Sequence, residues 1–345
     1  MISFDKEKYL KLAKDIYAID SPTGYTLDVI NYIADYVANL GYEFKISNKG
    51  TLEVVLEGEN NDKVVATSAH VDTLGLMVRS IKSDGKLALT KLGSPSTPTL
   101  DGEYCTIITR DNHRYEGTIL STSSAVHVYN DANSKSRDID NLEIRIDEKV
   151  TNAEEVRKLG IENGDIVFIN PKFEITSSGF LKTRFIDDKV SAIVLLLLLD
   201  YLKSNNLKPA YKTYVYFVVY EEVGHGASCI NDEIDEFVTC DMGCIGLDLA
   251  GNEYAVSICA KDSGGPYDYQ LTTKLINLAK NNKINYTVDI FPYYGSDIGA
   301  AYHAGKDIKG ALIGTGVSAS HGAERTHEEG IINTLKLIYT YLTTR

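Results

Sequence analysis

The pattern of apolar residues along the chain constrains its fold more than any other feature of the sequence. Apolar residues recur at helical spacing within residues 10–17, 29–40, 189–202, 267–281 and 327–342. Between these stretches lie short strand-like runs at residues 51–56, 64–69, 214–220, 245–249, 254–260, 286–291 and 311–314. The second of these runs is uniformly apolar or small, as in a strand that is covered on both faces. Alternating strands and helices predict an α/β fold, a mixed sheet with helices on both faces.

A different pattern occupies residues 75–171. Short strand-like runs, separated by turns rich in Gly, Asn, Asp and Ser, lie at residues 106–109, 115–120, 142–146 and 165–169. This arrangement is typical of a small β-barrel or sandwich. We therefore predict an α/β domain formed by residues 1–74 and 172–345, interrupted by a β-barrel-like insertion domain formed by residues 75–171. A β module of about a hundred residues that contributes no obvious catalytic residue is expected to drive homo-oligomerisation.

Composition argues against several classes of partner. The 345 residues carry a formal net charge of −13, whereas faces that bind nucleic acid are basic. The most apolar run, residues 190–199, ends at Asp200 and is too short to cross a bilayer. The first residues lack the apolar core of a secretory signal. The five cysteines are scattered and odd in number, as in a reducing compartment, so we expect a soluble cytoplasmic protein without nucleic-acid or membrane partners.

Acids and histidines follow several of the predicted strands or precede a predicted helix. These residues are His70, Asp72, Asp187, Glu221, Glu222, Asp248, His321 and His327. In open α/β sheets, ligands gather outside the carboxyl ends of the strands. Carboxylates and imidazoles that meet there are the ligands that a divalent-metal site requires.

Each member of this set also has a plainer interpretation. A His-x-Asp pattern such as that at residues 70–72 occurs often by chance in solvated loops. Two acids before a helix, Asp187 and Asp188, can serve as its N-cap and first turn. Asp248 lies among apolar residues and glycine, where an acid is costly unless it is paired or bound to metal. The combination, in this order along the chain, predicts a metal site.

Six short segments carry a resemblance to a known family. They are His-Val-Asp-Thr-Leu-Gly-Leu-Met-Val at 70–78, Asp-Asp-Lys at 187–189, Glu-Glu-Val-Gly at 221–224, Asp-Ser-Pro-Thr-Gly-Tyr at 20–25, Glu-Glu-Val-Arg-Lys-Leu-Gly-Ile-Glu-Asn-Gly-Asp at 154–165 and Gly-Ser-Asp at 295–297. Together they resemble the M42 family of dinuclear aminopeptidases, the glutamyl and tetrahedral aminopeptidases within the clan of co-catalytic zinc exopeptidases. The resemblance covers nearly the whole chain.

The resemblance implies a metallo-aminopeptidase that removes N-terminal residues from peptides with a free N-terminus. Two divalent metal ions would bind to each chain, with zinc as the expected metal and cobalt or manganese as alternatives. The subunits would assemble into a homo-oligomer, for which a dodecamer is one form. The implied metal ligands are His70, Asp187, Glu222, Asp248 and His327. Asp187 would bridge the two ions, Asp72 would orient His70, and Glu221 would be the general base.

The sequence departs from the family pattern near its C-terminus. The expected Arg-x-x-His-Ser-Pro is replaced by residues 320–329, which contain both His321 and His327. Residues 326–329, Thr-His-Glu-Glu, have the form of a capping box, so His327 would open the last helix. Because the family's last ligand lies just before that helix, we expect His327 to be the ligand and keep His321 as the alternative. The roles of His321 and of His225, which replaces an apolar or basic residue, stay open.

Three other functions fit parts of the pattern. A metal-dependent deacylase or amidohydrolase would use the same metals on small N-acyl substrates. A glycoside hydrolase also uses paired carboxylates, but Glu221 and Glu222 are neighbours that do not flank a sugar, and the chain contains no tryptophan. A non-catalytic scaffold predicts a missing ligand, whereas every expected position is filled. The sequence does not determine the preferred N-terminal residue, the physiological metal or the oligomer size.

Overall fold

Seven α-helices form within residues 2–345, the part of the chain that the computed structural model describes. They are α1 (Lys6–Tyr17), α2 (Leu27–Asn39), α3 (Ala153–Lys158), α4 (Ile186–Ser204), α5 (Tyr269–Asn281), α6 (Asp297–His303) and α7 (Glu328–Thr343). None of the helices in these residues is both long enough and apolar enough to cross a membrane.

The same residues form nineteen strands. They are β1 (Phe44–Ile46), β2 (Leu52–Leu56), β3 (Asn60–His70), β4 (Gly75–Ile81), β5 (Leu87–Leu92), β6 (Tyr104–Ile108), β7 (Arg114–Ser121), β8 (Leu142–Ile146), β9 (Ile166–Ile169), β10 (Glu174–Ile175), β11 (Phe180–Thr183), β12 (Tyr211–Val218), β13 (Glu236–Cys240), β14 (Gly243–Cys244), β15 (Val256–Asp262), β16 (Gly265–Pro266), β17 (Tyr286–Ile290), β18 (Lys309–Val317) and β19 (Glu324–His327).

The chain divides into two units. The first contains the chain up to Asp72 together with Phe173–Ser320 and Glu324–Arg345, and the second contains Thr73–Lys172 and His321–Ala323. The first unit holds a mixed sheet in the order β1-β2-β12-β3-β13-β18-β15-β16, in which β3 is parallel to both β12 and β13. In the second unit, β4-β5-β8-β7-β6-β9 close into an antiparallel barrel.

The mixed sheet buries side chains on both of its faces. Along β12, Val215 and Phe217 belong to one buried apolar cluster, whereas Tyr214, Tyr216 and Val218 belong to another. Successive side chains of a strand point to opposite faces, so the two clusters lie on opposite sides of the sheet. Helices α1, α2, α4, α5 and α7 contribute to the first cluster, and α6 contributes to the second. The predicted fold class, a mixed α/β sheet with helices on both faces and a small β-barrel insertion, is confirmed.

Helix α4 forms the centre of the first cluster and carries two acids at its start. Its residues 186–200 are all buried, because the apolar run at 190–199 leaves no polar face to turn toward water. The backbone of Asp187 and Asp188 is not helical, and the peptide bond between them is cis. Asp187 and Asp188 therefore lie at the start of a helix that is buried from its first residue to Asp200.

One predicted strand is wrong. Residues 245–250 form a loop with a turn, in which Leu247 is 93% exposed. The strand between β3 and β18 is instead β13, which precedes this run. Gly246 weakens an extended run, and Asp248 adopts a left-handed φ of 63° that no strand accepts.

Candidate metal centre

His70 is the centre of a buried cluster of carboxylates. Its side chain is 2% exposed, and its Nε2 lies 2.9 Å from Oδ1 of Asp187. The same nitrogen lies 3.7 Å from Oε2 of Glu221 and 3.9 Å from Oδ1 of Asp241. These distances bring together side chains from four separate segments of the chain.

The parallel pairing of three strands explains why these segments meet. In register, Val218 of β12 pairs with His70 of β3, and Thr239 of β13 pairs with Ser68. The three strands therefore end at the same edge of the sheet, where Glu221 and Asp241 follow. This is the edge at which open α/β sheets bind ligands.

Two sets of side chains in the described part of the chain have the composition and spacing of a metal site. One consists of His70, Asp187 and Glu222, and the other of His70, Glu221 and Asp241, with the ligand atoms of each set within 4.8 Å of one another. Imidazole nitrogen and carboxylate oxygen are the ligands that zinc and similar divalent ions take in catalytic sites. The donor set thus fits the metal ions that the sequence predicts.

The pKa values of the cluster also favour a bound cation. Burial raises the pKa of Glu221 and of Glu222 well above the usual range, and nearby carboxylates add to this effect. Burial also raises the pKa of Asp241 to about 7, with a further contribution from Asp187. Burial disfavours the charged imidazole of His70, but its hydrogen bond to Asp187 and the surrounding acids raise its pKa well above the ordinary value. A divalent cation would stabilise all of these carboxylates in their ionised form.

Asp72 contacts both His70 and the glutamate pair. Its main-chain oxygen lies 2.9 Å from Nδ1 of His70, and its carboxylate Oδ1 lies 3.6 Å from the same atom. That carboxylate accepts the main-chain N–H groups of Glu221 at 3.1 Å and Glu222 at 3.4 Å. It also accepts the hydroxyl of Thr23 at 2.7 Å. The main-chain oxygen of Asp72 thus faces the ring, while its carboxylate fixes the turn that carries the two glutamates.

Asp248 is not part of this cluster. It lies exposed in the turn after β14, and the fourth carboxylate of the two sets comes from Asp241. The expectation that Asp248 is a buried acid fails because the strand assigned around it does not form. A signal for Asp241 is present in the sequence, since it directly follows the mostly apolar residues 237–240, just as His70 and Glu221 follow the predicted strands at 64–69 and 214–220.

His327 is buried, and both of its ring nitrogens have hydrogen-bond partners outside the carboxylate cluster. Its Nδ1 accepts the N–H of Glu329 at 3.1 Å, and its Nε2 lies 2.8 Å from the carbonyl oxygen of Ser178. An amide N–H must donate to Nδ1 and a carbonyl must accept from Nε2, so the neutral ring has no lone pair left for a metal. His327 is the N-cap of α7, the position that the capping-box pattern predicts for Thr326, and it does not join the carboxylate cluster.

The other histidines of interest lie in different surroundings. His321 belongs to the second unit, where its Nδ1 lies 3.0 Å from the carbonyl oxygen of Ser94. His225 is exposed, and its ring stacks on that of Tyr220 with centroids 5.0 Å apart.

Two supporting residues were not predicted from the sequence. Glu324 is buried and accepts the main-chain N–H of Asp187 at 3.1 Å. Thr23, mentioned above, is 6% exposed and approaches the cluster from the N-terminal segment. Each is far from its partner in sequence, and no local pattern indicates such a contact.

Comparison with known proteins identifies the relatives of this chain. A family model described as M42 glutamyl aminopeptidase matches residues 50–337. The Bacillus subtilis (strain 168) protein named "Putative aminopeptidase YhfE" is 44% identical over 336 residues, which cover 97% of each chain. The Lysyl aminopeptidase of Pyrococcus furiosus is 26% identical over 234 residues, which cover 67% of this chain and 65% of that one.

Solved structures share the fold. The TET aminopeptidase from the marine sediment archaeon Thaumarchaeota archaeon SCGC AB-539-E09 superimposes with a TM-score of 0.87 at 19% identity, over 97% of both chains. The TET1 peptidase of Pyrococcus horikoshii, which can assemble into a tetrahedron or a large octahedral shell, gives 0.85 at 22% identity, over 98% of this chain and 100% of that one. At such identities the likeness establishes the fold alone.

Proposed function

Because this chain belongs to the M42 glutamyl aminopeptidase family and is an aminopeptidase, we propose that it removes N-terminal residues with two divalent metal ions and Glu221 as the general base. The observation that supports this proposal most directly is the buried cluster of His70 and carboxylates at the edge where three parallel strands end. Its substrates are peptides with a free N-terminus.

In this proposal His70, Asp187, Glu222 and Asp241 would hold the two ions, and Asp187 would be shared between them. Asp241 replaces the Asp248 of the sequence-based ligand set, because only Asp241 lies within reach of His70. Zinc is the proposed metal, with cobalt or manganese as alternatives, since the donors are imidazole nitrogen and carboxylate oxygen.

The chain's own residues supply the proton transfers. When bound, the divalent ions lower the pKa of the attacking water and polarise the scissile carbonyl. Glu221, whose side chain is 13% exposed, accepts the proton of that water and transfers it to the leaving amine. The surplus of carboxylates attracts the positively charged amino terminus of a peptide, which explains a preference for exopeptidase activity.

A comparison of free and blocked substrates tests this proposal. Metal-reconstituted protein is assayed with a panel of aminoacyl anilides and with the same compounds acetylated at the amine. We expect hydrolysis of the free amines only, and the panel then identifies the preferred N-terminal residue. Hydrolysis of the acetylated compounds alone would overturn the proposal in favour of a deacylase.

We further propose that the chain works as a homo-oligomer in the cytoplasm. The barrel unit supplies none of the proposed catalytic residues, which is consistent with a role in assembly, and a dodecamer is one form that the assembly could take. All five cysteines are free, as in a reducing compartment. Light scattering at working concentration tests the assembly, and a monomer there would contradict it.

A further inference from the structure

We propose that Thr23 is a positioning residue for catalysis, which acts through Asp72 on the turn that carries Glu221 and Glu222. The inference rests on the proposed function, because Thr23 would act on the turn that carries the proposed base and a proposed metal ligand. Thr23 lies within residues 20–25, one of the segments that carry the family resemblance, and before residue 50, where the family model begins to match.

The contact is a short relay of buried hydrogen bonds. Thr23 donates its hydroxyl to Oδ2 of Asp72 at 2.7 Å, and Asp72 is 0% exposed. The two oxygens of Asp72 accept the main-chain N–H groups of Glu221 and Glu222 at 3.1 and 3.4 Å. Hydrogen bonds to an ionised carboxylate are roughly twice as strong as neutral ones. Loss of the hydroxyl would leave an oxygen of Asp72 without its side-chain donor and free the carboxylate to rotate away from the turn.

The segment that presents Thr23 is itself fixed from two directions. Ser21 donates its hydroxyl to the carbonyl oxygen of Val71 at 2.8 Å. Lys189, on helix α4, donates to the carbonyl oxygens of Ile16 and Ile19 at 3.1 and 2.6 Å. The N-terminal segment is therefore tied both to the corner after β3 and to the helix that carries Asp187, so the Thr23 hydroxyl is held in place before substrate binds.

The two glutamates begin the turn that follows β12. It is a short 3-10 turn at residues 221–223, flanked by left-handed backbone at Tyr220 and Gly224. Changes to residues that support a metal ligand or a catalytic group typically cost 10–100-fold in affinity or activity. A displacement of about 1 Å at the reacting groups is enough for such a loss. Thr23 is thus placed to control the turn that carries both the base and a metal ligand.

Three variants separate positioning from folding. Thr23→Val removes the hydroxyl and keeps the shape of the side chain, whereas Thr23→Ser keeps the hydroxyl. Thr26→Val is the matched control, since Thr26 is also buried, lies three residues away and makes no side-chain capping hydrogen bond. Thermal melting of each variant gives the effect on stability.

The first measurement is hydrogen–deuterium exchange of the metal-free protein, read on peptides that contain residues 221 and 222. The second is kcat and KM of zinc-reconstituted protein on an aminoacyl anilide. We expect Thr23→Val to speed exchange of the glutamate turn and to lower kcat about 10–100-fold with KM within a few-fold. Thr23→Ser should restore both values, and Thr26→Val should match the wild type.

The outcomes are distinct. Unchanged exchange and kcat in Thr23→Val would overturn the inference, as would equal losses in Thr23→Val and Thr26→Val, which indicate general destabilisation. A wild type that cleaves no free-amine substrate would overturn the proposed function instead, while the exchange measurement would still decide whether Thr23 anchors the turn.

Discussion

Strand β13 has a buried acid at each end, and the two acids have very different partners. Glu236, at its start, lies 2.5 Å from Nζ of Lys63 and accepts the hydroxyl of Tyr341 at 3.0 Å. Asp241, which follows its end, has the imidazole of His70 at 3.9 Å as its ion-pair partner. One end of the strand supplies its own counter-charge, as structural acids do. At the other end, several acids surround a single imidazole. This difference distinguishes a structural acid from an acid in a proposed cation site.

The largest effect should follow from a change in the base. Glu221→Gln should lower kcat by about 10²–10⁴-fold, because the amide cannot accept the proton of the attacking water, and the protein should still bind its metal ions. Glu236→Gln is the control from the other end of β13, and we expect it to reduce stability with little change in kcat. The measurements are anilide hydrolysis, elemental analysis and thermal melting. Metal loss in Glu221→Gln would show that Glu221 is a ligand rather than the base.

The comparison also predicts how the stability of the metal-free protein depends on pH. Burial raises the pKa of Asp241 from 3.8 to about 7. Between these values the unfolded chain releases a proton that the folded protein keeps, so stability falls as pH rises, and the loss is complete above pH 7. The difference corresponds to about 4 kcal/mol at most.

Asp241→Asn removes this titration. Melting of metal-free protein at pH 5 and pH 8 should therefore show a steeper loss in the wild type than in Asp241→Asn. Equal losses in the two proteins would contradict the assignment. Zinc should reverse the trend in the wild type, because metal binding favours the deprotonated ligands.

Metal affinity distinguishes Asp241 from Asp248. Asp241→Asn should weaken binding of one ion, by 10-fold or more on the scale typical of altered metal sites. Asp248→Asn should leave affinity unchanged, because that side chain lies exposed in a turn. Elemental analysis after gentle reconstitution should find about two ions per chain in the wild type and in Asp248→Asn. Saturation of the fully active wild type at one ion would contradict the shared Asp187.

The sequence predicted the parts of the site that follow strongly apolar strands. His70 is the last residue of β3, and Glu221 lies three residues beyond the end of β12. The apolar residues of both strands identify their buried faces. The sequence does not indicate Asp241 as clearly, because β13 begins with a glutamate and is only five residues long, so local patterns favour the run at 245–249 as the strand. Strand propensity alone does not distinguish residues 236–240 from residues 245–249, because pairing with β3 and β18 determines which of them forms the strand.

Local sequence patterns do not predict contacts between segments that are distant along the chain. Thr23 reaches Asp72 across 49 residues, and Asp187 reaches Glu324 across 137. The start of α7, by contrast, is predicted within one residue, because the pattern that indicates it lies within four consecutive residues, although the N-cap is His327 rather than Thr326. The Nδ1 of His327 accepts the N–H of Glu329 at this helix start, and the assignment of His327 as a metal ligand stays a prediction.

The smallest predicted effect concerns this histidine. His327→Ala should cost about 1 kcal/mol of stability, the usual value of an N-cap, because the N–H of Glu329 loses its acceptor. Its metal content should stay at the wild-type value, since neither ring nitrogen offers a lone pair. His321→Ala is the comparison variant. Loss of metal in His321→Ala but not in His327→Ala would identify His321 as the second histidine ligand beside His70. If His327→Ala instead loses one ion while its melting temperature is unchanged, the ring must leave Ser178 and Glu329 when metal binds, and His327 would regain the role that the sequence suggested.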